Sequence, residues 1–323
     1  MNKREFLHLL AAGPLSAAAP LALARSEGYP SRSIRIISPF AAGSTSDTSA
    51  RFIANQLAMA FKQPVVVENQ PGADGRIGMM TVKNAPADGY TVVAGSWTNL
   101  AVNPILMKDL PYDPLKDFKP VAGIGRSMLG FAVPGTSPFK TLPELLDAAR
   151  KQPKALNFGN FGAGYRLAAE WLSELAGVQF THVPFRATGQ MNTNLAAGQI
   201  DVGLDGVTSM ATLAKSGQLR ILAVTGEQRH PEFPQVPTVR EIYPEFVIYG
   251  WSALMVRSQV PDDITQQLAD AVQKILTSKE GLEFAARVGS DLLNRSTGEM
   301  REYQIAQIER LRKVADAAGL KPE

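Results

Sequence analysis

Residues 34–51 (IRIISPFAAGSTSDTSAR) carry three signals in one stretch, and together they restrict what the chain can fold into. Ile34, Ile36 and Ile37 form a β-branched apolar run that reads as a buried strand. Pro39 cannot continue a central strand, so the strand stops there. Small residues follow from Ala41 to Ser46, and then Phe52, Ile53, Leu57 and Phe61 recur at helical spacing. The reading is strand, small-residue loop, helix N-terminus. Such a loop leaves backbone N–H groups without partners, and the helix dipole adds a partial positive charge. An anion can settle there. The alternative is a βα turn that only connects two elements.

The unit recurs. Residues 155–158 read as a strand, 159–164 (GNFGAG) as a Gly-rich loop, and 167–175 as an apolar helix closed by Gly177. Strands alternate with helices along the rest of the chain, which argues for an α/β protein with mainly parallel sheets. In open α/β sheets the ligand sits at the carboxyl ends of strands. Four such ends carry small or polar loops, at 39–47, 95–99, 159–166 and 185–190, and a fifth carries Asp205. Two long extended segments, 121–133 and 246–256, read as strands that pass from one lobe to another. The expected layout is lobe 1 over 25–127 and 247–323, lobe 2 over 128–246, and a cleft between them.

Composition removes several function classes. The net charge is only +3, and the chain has no Cys and three His. Nucleic acid is not an expected partner, and thiolate metal sites and Cys nucleophiles are excluded. There is no HExxH, no Gly-x-Ser-x-Gly and no phosphate-binding GxxxxGK[ST]. No catalytic residue, metal site or cofactor is therefore assigned. At the start of the chain, Lys3 and Arg4 precede an apolar run over 6–23, and Ala22-Leu23-Ala24 is an A-x-A cleavage pattern. Residues 1–24 read as a secretory signal peptide cleaved near Ala24, which implies a mature protein that works outside the cytoplasm.

The ordered motifs resemble those of the Bug-type, or TctC-type, extracytoplasmic solute receptors of tripartite tricarboxylate transporters. They include PFAAGSTSD at 39–47, VVVENQPGADGRIG at 65–78, ADGYTVVAGS at 87–96, LNFGNFGAG at 156–164 and HVPFRATG at 182–189, and the match spans essentially the whole mature chain. The resemblance implies a type II periplasmic-binding-protein fold, two lobes joined by crossing strands, closing as a monomer on a small organic carboxylate. It further implies delivery to the large and small membrane subunits of a carrier. A sensor kinase as partner, or a secreted hydrolase or lyase using the same cleft, are the alternatives.

Carried onto this chain, the resemblance makes Phe40, Ala41, Gly43, Ser44, Thr45, Ser46 and Asp47 the first-loop ligand contacts. Ser96 and Trp97 follow at the next strand end. Gly162, Gly164, Tyr165, Arg166, Thr188 and Asp205 face them from the other lobe. Ser44, Trp97 and Tyr165-Arg166 depart from the usual pattern of the family. Asp47 reads equally as a helix cap, Trp97 and Trp251 as core, and His182 as a satisfied core histidine. Arg166 at a helix start works against the dipole, which a bound anion would offset. A second ligand carboxylate paired with Arg166 is the resulting expectation.

Overall fold

One strand belongs to both halves of the molecule. In the computed structural model, which describes residues 28–185 and 187–322, β4 (Phe118–Pro134) pairs antiparallel with β9 (Tyr249–Arg257) through Met128. From Leu129 onward its partners are β7 (Val202–Gly206) and β8 (Leu219–Val224). The signal-peptide expectation lies outside the described residues.

On the first side β1 (Ile34–Ser38) pairs parallel with β2 (Val65–Asn69) and β3 (Thr91–Ser96), and β3 pairs antiparallel with β9. On the second, β5 (Asn157–Asn160) lies parallel between β6 (Thr181–Pro184) and β7. A short β10 (Asp291–Leu292) lines the edge of β4. The result is a curled, mixed sheet in two lobes. Chain reversals at β4 and β9 put the carboxyl ends of β1, β3, β5 and β7 around one central cleft.

The helices follow from caps and periodicity. Ser44 caps α1 (Thr45–Phe61), its hydroxyl accepting from Asp47 N–H at 3.3 Å. Arg76–Lys83 forms α2 and Leu142–Lys151 forms α4, the latter capped by Thr141. In the second lobe α5 (Gly162–Ala176) ends at Gly177 in the left-handed conformation, φ 63°. Helices α6 (Thr188–Ala196) and α7 (Val207–Lys215) follow, then α8 (Asp262–Thr277), α9 (Lys279–Arg287) and α10 (Thr297–Ala317). Ser296 and Glu299 form the capping box that starts α10, as their spacing predicts.

Two expectations change. The sequence predicts a helix over 101–108, whereas a π turn at Thr98–Val102 leads into a short α3 (Asn103–Leu106). Pro104 has no N–H to give the Leu100 carbonyl, so the regular ladder fails there. Gln304 of α10, fully buried, supplies the missing donor through Nε2 at 3.0 Å. The second extended segment also starts later than expected. Only 249–257 is strand, and Ile248 crosses by donating its N–H to the Thr225 carbonyl at 3.0 Å. Helix α10 packs on β4, on the 98–102 turn and on α5, so it braces both lobes.

Candidate functional site

A cavity of about 60 Å³ lies between the lobes where the strand ends converge. Its first wall is the start of α1, which presents Phe40, Ser44, Ser46 and Ser49. The three serines are buried, and the Ser44 and Ser46 hydroxyls lie 3.3 Å apart. Asp47 supports this wall from behind. Its carboxylate accepts from Gly43 N–H at 2.9 Å, Arg51 Nε at 3.0 Å and Asn69 Nδ2 at 2.7 Å. Burial alone would raise its pKa, but these donors outweigh it and hold the carboxyl below its ordinary range. Gly43 adopts φ 82°, which lets the loop turn its N–H back onto Asp47.

The end of β3 gives the second wall, Ser96, Trp97 and Thr98. The back wall comes from the crossing strands, with Ser127 opposite Gly250 and Gly125 opposite Ser252 in register, and Trp251 between them. Glycine and serine there leave room that larger strand residues would fill. Lobe 2 closes the cavity with Phe161, Tyr165, Thr188 and Gly206.

The lobes touch across it. Phe40 and Phe161 rings lie 5.8 Å apart edge to face, as do Trp97 and Tyr165. A Cβ at Gly164 would come within 2.7 Å of the Trp97 ring, so only glycine permits this approach.

Two donors in the lining are left without partners. Trp251 Nε1 and Ser96 Oγ are buried and make no hydrogen bond within the protein, although Trp251 is only 3% exposed. An indole N–H can only donate, and a buried unmade donor costs on the order of 1–3 kcal/mol. Both atoms belong to cavity-lining residues. No Lys, Arg or His among the described residues lines the cavity. Nor does any group of acidic, His or Cys side chains among those residues suit a metal ion.

Of the residues singled out in the sequence, the cavity brings together Phe40, Ser44, Ser46, Ser96, Trp97, Tyr165 and Thr188. Ala41, Gly43 and Asp47 shape the loop without lining the cavity, and the side chain of Thr45 is outside what the structure describes. Asp205 lies fully buried behind Gly206, accepting from Asn192 Nδ2 at 2.8 Å and from Gly206 N–H at 2.7 Å. Burial pushes its carboxyl up to about 6 despite these bonds. Burial also raises the Tyr165 hydroxyl, with Asp205 adding to the shift.

Arg166 lies outside the cavity lining. One position beyond Tyr165 the helix has turned by about 100°, and the guanidinium sits 4.0 Å from Glu170 one turn on. It lines a separate depression with Asp74, Arg76 and Asn160. Gly162 lines that depression too, and Gly164 packs on Trp97.

Trp251, which the sequence leaves between core and ligand platform, lines the cavity, and so do Ser127 and Ser252, which the sequence does not single out. Their signal was the run of Gly and Ser interrupting two otherwise apolar strands at 123–127 and 250–252. The stretch 68–78 reads in sequence only as a Gly/Pro/Asp turn region. There Asp74, at φ 53°, reaches across to the start of α5, where a Cβ at Gly162 would lie 3.1 Å from its Oδ1. Burial raises the Asp74 carboxyl, while the Ala163 N–H and Arg76 pull it down.

Comparison with known proteins agrees with this geometry. The family model described as the tripartite tricarboxylate transporter family receptor, TctC, matches residues 49–320. A UPF0065 protein from the tcbD-tcbE intergenic region of a Pseudomonas species is 33% identical over 82% of this chain and 80% of its own length. An R. palustris protein solved with adipate superposes at TM-score 0.88 with 30% identity, over 91% of this chain and all of the other. MatC from Rhodopseudomonas palustris, solved with bound malate, gives 0.83 and 28% identity over 88% of this chain and 99% of its own.

Proposed function

The chain belongs to the TctC receptor family of tripartite tricarboxylate transporters, and from that premise we propose that it captures a small organic carboxylate in the interlobe cavity. The reading continues to a periplasmic protein that hands this ligand to the large and small membrane subunits of a carrier. Among the described residues no helix is long and apolar enough to cross a membrane.

One observation carries the ligand class. The cavity combines the start of α1 and its serine hydroxyls with two buried donors, Trp251 Nε1 and Ser96 Oγ, that the protein does not pair. Such a lining calls for acceptor atoms and for negative charge near α1. A carboxylate at the start of α1 gains roughly 0.3–1 kcal/mol from the dipole, up to ~2 when partly buried, besides its charge-assisted hydrogen bonds. No cationic side chain is required for that.

A thermal-shift panel of short carboxylic acids tests the reading. A ligand that binds only the folded state adds about RT ln(1 + [L]/Kd), roughly 2.7 kcal/mol at a hundredfold excess over Kd. At least one acid is expected to raise the melting temperature by several degrees. A panel in which no carboxylate shifts it, while neutral compounds do, contradicts the reading. Genes for the two membrane subunits beside this one would support the carrier over a signalling partner.

A further inference from the structure

Four aromatic rings meet in an unbroken row where the lobes close on the cavity. Phe40 and Trp97 come from lobe 1, Phe161 and Tyr165 from lobe 2, and all four line the cavity. Phe40 meets Phe161 at 5.8 Å between centroids, Phe161 meets Tyr165 at 6.0 Å, and Tyr165 meets Trp97 at 5.8 Å. The planes in these pairs are inclined at 60°, 54° and 70°, so the rings form a folded screen and not a stack. Phe161 and Tyr165 stay half-buried although they lie between the lobes, which leaves ring surface for a third group.

The backbone sets the screen in place. Phe161 is the N-cap residue of α5, and Tyr165 follows it by four positions, so both rings lie on one face of the helix. Gly164 lets the Trp97 ring come up to that face. The polar part of the lining is different in kind. It consists of hydroxyls at the starts of α1 and α6, from Ser44, Ser46 and Thr188, together with Ser96 Oγ and Trp251 Nε1, which the protein does not pair. A ligand that suits both parts carries a carboxylate on a flat apolar body.

We propose that the ligand is a single-ring aromatic carboxylic acid, its ring held by the screen of Phe40, Phe161, Tyr165 and Trp97 and its carboxylate by the hydroxyls. The inference rests on the carboxylate-receptor reading above and narrows it. An aromatic ring has a negative face and a positive edge, so it gains from inclined neighbours what a saturated ring does not. Each such pair is worth about two- to tenfold in affinity beyond the area it buries. A rigid planar acid also gives up less conformational freedom than an open chain. A ring seated on the screen touches both lobes, and it therefore favours their closed arrangement.

The test is calorimetry with benzoate and cyclohexanecarboxylate, which share their carbon count and their single charge. Hydrophobic burial by itself favours the saturated ring, which has the larger apolar surface, so a preference for benzoate reports on ring contacts. The proteins are the mature wild type, Phe161→Leu, Tyr165→Leu and Tyr165→Phe. Leucine keeps the site apolar but breaks the row, and Tyr165→Phe removes only the hydroxyl. Circular dichroism and the melting temperature confirm that each variant folds. The wild type is expected to bind benzoate at least about fivefold more tightly than the saturated acid. Each leucine variant is expected to bring the two within about twofold, and Tyr165→Phe to keep the wild-type ratio.

Wild type that binds the saturated acid as tightly as benzoate overturns the inference. So do leucine variants that keep the full preference, or a Tyr165→Phe protein that loses it as Tyr165→Leu does. Binding of neither ring acid, while another acid of the thermal-shift panel binds, overturns it and leaves the carboxylate reading intact. If no carboxylate binds, both fall.

Discussion

The loops at 39–47 and 159–164 are the same construction, a strand running through small residues into a helix, yet the molecule uses them differently. The first leaves its helix N-terminus facing a cavity lined with hydroxyls, and its buried acid, Asp47, is turned away to brace the loop. The second has a carboxylate from across the cleft beside its N-terminus, Asp74 Oδ1 lying 3.1 Å from where a Cβ on Gly162 would be. The helix dipole is the same at both, so it does not tell them apart. What separates them is a carboxylate distant in sequence.

The largest effect is expected at Asp205, the second acid on the lobe 2 side. Its folded-state pKa is raised from 3.8 to about 6, so between those values the folded protein binds more protons than the unfolded chain. Stability attributable to this group therefore falls as pH rises from about 4 to about 6 and is flat above. A shift of that size is on the order of 3 kcal/mol. Asp205→Asn removes the titration. Asn192 Oδ1, which lacks a partner, can accept from the new amide after a flip. Urea unfolding at pH 4, 5, 6 and 7 should show the variant gaining on wild type across that window. Parallel curves would mean that Asp205 is not the buried acid that burial makes it.

Next in size is Trp251→Phe. Losing one donor to a charged ligand costs about 2 kcal/mol, roughly a thirtyfold loss of affinity. The ligand-free protein is expected to change by no more than about 1 kcal/mol, because the indole N–H has no partner there to lose. Calorimetry with the best acid of the panel, beside thermal melts of the free protein, separates the two effects. A large drop in stability with unchanged affinity would make Trp251 a core residue, packed edge-on to Tyr303 at 5.5 Å and nothing more.

The smallest effect is expected at Arg166→Ala. Because Arg166 lines a different depression from the one holding Ser44 and Trp251, the change should alter affinity for any acid less than about twofold. A tenfold loss confined to dicarboxylates would restore the pairing that the sequence suggested.

Much of the architecture could be read from residue patterns. The β-branched runs at 34–37 and 65–67 became β1 and β2, and Ser296 with Glu299 marked the start of α10. These are local signals, decided within one turn or one strand. The parts that escaped depend on partners far away in sequence. Pro104 breaks the helix expected over 101–108, and only Gln304 shows how the freed Leu100 carbonyl is satisfied. Arg166 follows Tyr165 in sequence, but helical rotation sends one side chain toward the cavity and the other toward Glu170. Asp74 sits in a Gly-rich turn, and nothing local marks it as a neighbour of a helix start in the other lobe.

The most direct measurement is a crystal structure of the protein with the acid that stabilises it most in the panel. The ligand carboxylate is expected within about 3 Å of the Ser44 or Ser46 hydroxyls or of the first backbone N–H groups of α1. A carboxylate found instead against Arg166, or at the α5 terminus with Asp74 displaced, would contradict the account.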